Sequence, residues 1–178
     1  MFFIFHGKEK VPAKSSNKEI MVGFLGGMMS ILCLLFITKL SGHLLIMAPF
    51  GASCVLLYAV PQSPLAQPRN IIFGHFISAT IGLIFLHLFG TSILSIACAV
   101  GLSIACMQFF QCIHPPAGAN PLVILLTAHE ITYHWSFLFF PVLLGSIILV
   151  MVAYATHRIS KTQWPNYGLG LFKTPSQK

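Results

Sequence analysis

The chain has 178 residues, of which 56% are apolar and only 7% are charged, with ten lysines and arginines, three glutamates and no aspartate. About a quarter of the residues of a soluble domain are charged, and thirteen charged side chains cannot cover the water-facing surface of a chain this long. The composition excludes an ordinary soluble domain and predicts an integral membrane protein.

Basic residues concentrate at the two ends of the chain, in a tail of residues 1–19 and a tail of residues 158–178, with an apolar domain of residues 20–157 between them. Basic flanks stay on the cytoplasmic side, so both tails are expected in the cytoplasm and the number of crossings is expected to be even. The expected location is a bacterial inner (plasma) membrane. Membrane orientation accounts for the basic residues, so the expected partner is the lipid bilayer and not nucleic acid.

Four apolar runs are long enough to cross a hydrocarbon core of about 30 Å, namely residues 20–38, 71–89, 92–110 and 133–156. Two further segments, 44–60 and 112–129, contain prolines and glycines. Proline removes an amide donor, so a helix in each broken segment is expected to begin at Pro49 or at Pro116. The predicted fold is an all-α bundle of six membrane segments, with four crossings as the alternative if the broken segments only re-enter.

Small residues are spaced four apart on three of the long runs. Such spacing allows helix backbones to approach closely within a bilayer, so these positions are expected to pack against other helices. The residues are Gly23, Gly27, Ser78, Gly82, Ala97, Gly101 and Ala105. The five cysteines do not show the spacing of a disulfide framework and are expected to be reduced packing residues.

A five-residue motif recurs at an offset of 67 residues. The segment that starts at Pro49 reads Pro-Phe-Gly-Ala-Ser, and the segment that starts at Pro116 reads Pro-Ala-Gly-Ala-Asn. The same offset relates the long runs, so we expect two repeat units of about 20–89 and 90–157, the second inverted relative to the first. Two helix amino termini that face each other would favour a small inorganic anion near the midplane.

The motifs also resemble a known family. Residues 112–122 contain His114-Pro115-Pro116, and they follow the segments 48–53 and 63–70 in the chain. Together they resemble the HPP family of integral membrane proteins, which is named for the His-Pro-Pro signature. Some members from photosynthetic organisms have been assigned as nitrite transporters. The resemblance therefore implies a multi-span protein that moves nitrite or a related monovalent anion.

Fifteen residues are candidates for this role. The candidate substrate-binding residues are Pro49, Phe50, Gly51, Ala52, Ser53, His114, Pro115, Pro116, Ala117, Gly118, Ala119 and Asn120, and the candidate pathway or gating residues are Arg69, Asn70 and His75. Each has an ordinary alternative. His114 either binds the anion or a co-transported proton, or it serves only to fix the turn. For His75 a functional role and a structural role are likewise both possible. Arg69 is either a gate or an orientation charge, and Asn70 is expected to cap the helix that follows.

Other functions are less well supported by the sequence. With no aspartate and one glutamate near the apolar domain, Glu130, there is no carboxylate pair for general acid–base chemistry, so we expect no enzyme. His129, Glu130 and His134 lack a recognised zinc spacing, so no metal and no other cofactor is expected. The alternative to a transporter is a non-transporting membrane scaffold or assembly protein. A homo-oligomer is compatible with either function.

Overall fold

The computed structural model of the chain describes residues 13–167. Six α-helices occupy most of this range, and no strand occurs among the described residues. They are α1 (Asn17–Ser41), α2 (Ala48–Ala59), α3 (Pro68–Phe89), α4 (Ile93–Phe109), α5 (Asn120–Thr127) and α6 (Leu144–Ser160). The predicted all-α class is confirmed.

Three helical stretches are long and apolar enough to cross a membrane. They are Asn17–Ser41, Pro68–Phe89 and Trp135–Ser160, with mean hydropathies of 2.5, 2.0 and 2.5. The third consists of α6 and two short helical turns before it. Helix α4 has 17 residues, which at 1.5 Å per residue gives about 26 Å, slightly less than the hydrocarbon thickness. The prediction of a helical membrane protein is confirmed, and six crossings remain a prediction.

The two proline-containing segments differ in where their helices begin. Helix α2 starts at Ala48 with Pro49 in its first turn, as expected. In the second segment, however, Pro115–Ala119 form a 3₁₀ turn, and α5 starts only at Asn120. The expected start at Pro116 was wrong. An α-helix from there would need an amide at residue 121 to reach the carbonyl of residue 117, and Pro121 has none.

The two short helices run in opposite directions along α3. The side chain of Asn120, at the start of α5, contacts His75 and Ser78, and Gly82 lies against the next turn of α5. Helix α5 therefore follows α3 towards its carboxyl end. Helix α2 also begins near His75, but only eight residues separate its end from the start of α3, so it points towards the amino end of α3. This arrangement fits the predicted inverted repeat, which itself remains a prediction.

Glycines mark the closest approaches between helices. A Cβ at Gly82 would lie 2.9 Å from the Ile124 side chain, so the predicted packing role is confirmed there. Gly23, Gly27 and Gly101 have open space around them, so that prediction was wrong for packing within one chain. Gly74 and Gly145 also pack closely, although neither is among the predicted packing residues; Gly74 lies four residues before Ser78. All five cysteines are free thiols.

Candidate functional site

Four polar side chains meet in the interior between α2, α3 and α5. Ser53, His75, His114 and Asn120 are each 0% exposed. The Ser53 hydroxyl is the centre of the group, because its Oγ lies 2.8 Å from His75 Nε2 and 2.8 Å from His114 Nε2. All four residues are candidates from the sequence, and the fold brings them together across 22 to 61 residues of chain. We call this group the polar cluster.

The two imidazole rings of the polar cluster are held from outside it as well. The Nδ1 of His114 lies 2.9 Å from the carbonyl oxygen of Leu65, in the connection between α2 and α3. The rings of His75 and His114 stand edge to face, with centroids 5.0 Å apart. Phe50 presents its ring edge to His75 with the same centroid separation. Each ring is therefore fixed in orientation by at least two neighbours.

Asn120 joins the start of α5 to the middle of α3. Its Nδ2 donates to the backbone carbonyl of His75 at 3.0 Å and to Ser78 Oγ at 2.8 Å, and it lies 3.2 Å from His75 Nδ1. Its Oδ1 is buried and has no hydrogen-bond partner. A buried acceptor without a partner costs about 1–3 kcal/mol, so this oxygen is a distinctive feature of the site.

Close packing explains why His114 can reach α3. A Cβ at Gly74 would lie 2.8 Å from the Cβ of His114 and 3.1 Å from the carbonyl oxygen of Cys112. Only glycine leaves room for the connection to lie this close to the helix. On the other side, Gly145 of α6 lies directly behind the Phe50 ring, where a Cβ would come within 2.5 Å of it. Both glycines therefore position side chains of the polar cluster or its surroundings.

Other candidate residues line a groove on the outside of the same region. The groove has a volume of about 610 Å³ and an apolar lining that includes the candidates Pro49, Ala52, Pro115, Pro116 and Ala119. Gly51 is exposed, Gly118 is half-buried and Ala117 is buried. The two proline motifs thus have an inner side, which carries the polar cluster, and an outer apolar side.

Two of the helix-end amides are already hydrogen-bonded, and the expected anion site between the helix starts stays a prediction. The amide of Phe50 donates to the Met47 carbonyl at 3.0 Å, and the amide of Ala117 donates to the His114 carbonyl at 2.9 Å. Tight turns at both helix starts use these donors internally. The polar groups that converge in the fold are therefore side chains rather than backbone amides.

Arg69 and Asn70 lie away from the polar cluster, at the amino end of α3. Arg69 donates from Nη2 to the carbonyl oxygen of Phe110 at 2.8 Å, which holds the end of α4. Asn70 does not cap the helix as predicted, because α3 already begins at Pro68. Its Nδ2 donates instead to the Ile113 carbonyl at 2.7 Å. Both side chains therefore fasten the connection that carries His114.

A segment after α6, residues 164–167, is absent from the sequence predictions. Trp164 Nε1 donates to the carbonyl of Ala66 at 3.0 Å, and the amide of Asn166 donates to Gln67 Oε1 at 2.8 Å. The hydroxyl of Tyr167 lies 2.6 Å from the Pro64 carbonyl. Burial raises the pKa of this hydroxyl. The segment is fastened to the α2–α3 connection, whose Leu65 carbonyl holds His114. The aromatic residues Trp164 and Tyr167 were its only sequence signal.

Metal-binding side chains do not gather elsewhere in residues 13–167, where no group of three histidine, cysteine or acidic residues could hold an ion. His129 and Glu130 form an exposed pair, with Nε2 and Oε1 3.4 Å apart. The other carboxylate in the described range, Glu19, is exposed at the start of α1, where it bonds Ser16. The polar cluster therefore contains no carboxylate.

Known proteins provide an independent comparison. Two proteins of Dictyostelium discoideum, each named only as a transmembrane protein, are similar to the chain. One is 35% identical over 170 residues, covering 90% of this chain and 60% of the relative, and the other is 32% identical over 163 residues, covering 87% and 52%. The chain thus spans between half and two thirds of the length of these curated relatives. No solved structure matches.

A family comparison covers almost all of the described structure. The family described as "HPP, transmembrane region" matches residues 12–165, which include all of α1 to α6. The match also includes His114-Pro115-Pro116 and every residue of the polar cluster. The chain therefore belongs to the HPP transmembrane family.

Proposed function

We propose that the chain is a transporter or channel for a small monovalent anion, and that the anion passes at the polar cluster. The observation that carries this proposal is the cluster itself: four interacting polar side chains, fully buried in a helical membrane protein. Polar and ionisable side chains are costly inside a membrane and mark substrate pathways when they occur there. The resemblance to HPP members assigned as nitrite transporters makes nitrite the favoured substrate.

The charge around the polar cluster supports an anion. The described carboxylates, Glu19 and Glu130, are both exposed, so no negative side chain competes with the substrate. The first turns of α2 and α5 lie at the cluster, and the start of a helix carries about half a positive charge. A neutral, hydrogen-bonding environment with weakly positive helix ends suits one negative charge better than several.

Flux measurements test the proposal directly. Purified protein in liposomes is assayed for uptake of nitrite, nitrate, formate and chloride, with empty vesicles as the background. We expect uptake of nitrite above background, and a large loss of it in His114→Ala. The matched control is His157→Gln, because His157 is also fully buried but bonds the Leu57 carbonyl outside the cluster, and glutamine keeps a donor there.

The outcomes separate transport from the scaffold alternative. Uptake of none of the four anions by folded protein would refute the proposed function and favour the scaffold. Unchanged uptake in folded His114→Ala would show that the anion does not pass at the polar cluster. Gel filtration in detergent identifies any variant that fails to fold.

A further inference from the structure

The hydrogen bonds of the polar cluster have a single direction when each ring is neutral. A carbonyl oxygen can only accept, so His114 must carry its proton on Nδ1, where it donates to Leu65 O, and its Nε2 is then an acceptor. The acceptor Nε2 faces Ser53 Oγ at 2.8 Å, so the Ser53 hydroxyl donates to it. The Pro49 carbonyl also lies within reach of this hydroxyl, but at 3.2 Å it is farther away than His114 Nε2. Ser53 has one proton, and its Oγ is consequently the acceptor for His75.

The direction continues from Ser53 through His75 to Asn120. With Ser53 Oγ accepting, His75 must carry its proton on Nε2, 2.8 Å away. The Nδ1 of His75 is then an acceptor and faces the Asn120 amide nitrogen at 3.2 Å. The amide orientation of Asn120 is fixed independently, because its Nδ2 donates to the His75 carbonyl. The two protons of this Nδ2 go to the His75 carbonyl and to Ser78 Oγ, so the sequence of one donor to one acceptor runs from His75 to Leu65.

We propose that His75, Ser53 and His114 form a proton relay that couples anion movement to proton movement. A proton that binds His75 Nδ1 makes the ring an imidazolium. The ring passes its Nε2 proton to Ser53 Oγ while Ser53 passes its own proton to His114 Nε2. The bond from His75 Nε2 to that proton breaks, the hydroxyl is restored, and His114 becomes the imidazolium. His114 then gives its Nδ1 proton to a water molecule that reaches the α2–α3 connection, and the resulting hydronium ion leaves at that side.

The side chains around His75 offer the proton of the imidazolium one path, which is the relay through Ser53 to His114. Helix α2 presents Ser53 and Phe50 to the ring, and α5 presents Asn120. The connection before α5 presents His114, which is the titratable side chain in contact with His75 among the described residues. The far end of the relay reaches Leu65, which is half-buried between the exposed residues Gln62 and Pro64 and the buried Ala66. Protons can therefore leave at the α2–α3 connection.

Nitrogen NMR of the full chain labelled with ¹⁵N-histidine, in detergent or lipid, tests the relay without a mutation. We expect a neutral Nε2–H tautomer for His75 and a neutral Nδ1–H tautomer for His114, assigned by comparison with His75→Gln and His114→Gln. The opposite tautomer on either ring would overturn the proposed direction and with it the relay.

Liposomes with a trapped pH dye test the coupling, which depends on the proposed anion transport. Nitrite and nitrate are the probes, and empty vesicles give the background from passive permeation of nitrous acid. The wild type is expected to take up protons together with nitrite. Ser53→Ala should take up fewer protons per nitrite ion than the wild type, whereas Ser53→Thr, which keeps the hydroxyl, should keep the wild-type ratio of protons to nitrite. His157→Gln, which lies outside the relay, should behave as the wild type.

The failures of the two proposals are distinguishable. Anion flux in the wild type without proton movement would overturn the relay and leave the proposed transport standing. Equal proton coupling in Ser53→Ala and the wild type would also overturn it. The absence of any anion flux would refute the proposed function and, with it, the coupling.

Discussion

Substitution of Gly74 by alanine tests whether the connection that carries His114 lies as close to α3 as described. The added Cβ would lie 2.8 Å from the Cβ of His114 and 3.1 Å from the Cys112 carbonyl oxygen. Carbon atoms in contact prefer about 3.5–4.0 Å, so His114 must move by about 1 Å. Its hydrogen bonds to Ser53 and Leu65 are 2.8 and 2.9 Å long, and such a shift lengthens at least one of them beyond bonding distance.

The expected cost follows from these contacts. Overpacking costs about 1–3 kcal/mol, and the loss of a hydrogen bond costs about 1 kcal/mol more. Replacing glycine by alanine in a helix returns up to about 1 kcal/mol. We therefore expect Gly74→Ala to lower the free energy of unfolding by about 1–3 kcal/mol and to reduce nitrite flux, because His114 leaves its position in the polar cluster.

The assay is reversible unfolding in mixed detergent and SDS micelles, followed by the fluorescence of the two tryptophans. The matched control is Gly101→Ala on α4, because a Cβ there meets nothing within 4 Å. This control is expected to be as stable as the wild type or slightly more stable. If Gly74→Ala and Gly101→Ala had the same stability and flux, the close approach between α3 and the connection would be refuted.

Three further predictions concern other contacts. Gly145→Ala should destabilise the protein by about 1–3 kcal/mol, because its Cβ would meet the Phe50 ring at 2.5 Å; unchanged unfolding in the same assay would contradict the packing behind Phe50. Trp164→Phe removes the donor to the Ala66 carbonyl and should lower the free energy of unfolding by about 1 kcal/mol. Trp135→Phe changes a half-exposed side chain and should lower it less. Equal losses of stability in the two variants would contradict the attachment of residues 164–167 to the α2–α3 connection. Reporter fusions after residues 62 and 112 should both give cytoplasmic signals, and any disagreement between them would contradict the His114–Leu65 hydrogen bond.

Local chemistry made the helices predictable. Inside a membrane, the backbone N–H and C=O groups of a long apolar run find hydrogen-bond partners only if the run is a helix. Gly42 and Gly90 follow two such runs, and both end helices with positive φ in the structure. The start of α5 was misjudged because three prolines within seven residues remove donors at several positions together. Which of them begins the helix depends on the bonds that neighbouring segments offer, and the local sequence does not contain that information.

The polar cluster was predictable as a set of residues but not as an arrangement. The sequence identified Ser53 and Asn120 by their matching positions in the repeated motif and His114 by its place before two prolines. His75 was a candidate because it is an ionisable residue within an apolar run. The hydroxyl that joins the two imidazoles is a contact over 61 residues of chain between Ser53 and His114, and it depends on how α2 packs against α3. Likewise, the internal bonding of the Phe50 and Ala117 amides is a property of the turns, which the proline motif alone does not determine.

Trp164 and Ala66 are hydrogen-bonded, so the chain after α6 and the connection after α2 share one side of the membrane. A chain that leaves one side and returns to it crosses an even number of times. If α3, α4 and α6 each cross the membrane between these residues, an even number requires a fourth crossing in the broken segment of residues 112–129. The predicted six crossings satisfy this condition, and they would place the His114 end of the polar cluster on the same side of the membrane as residues 164–167.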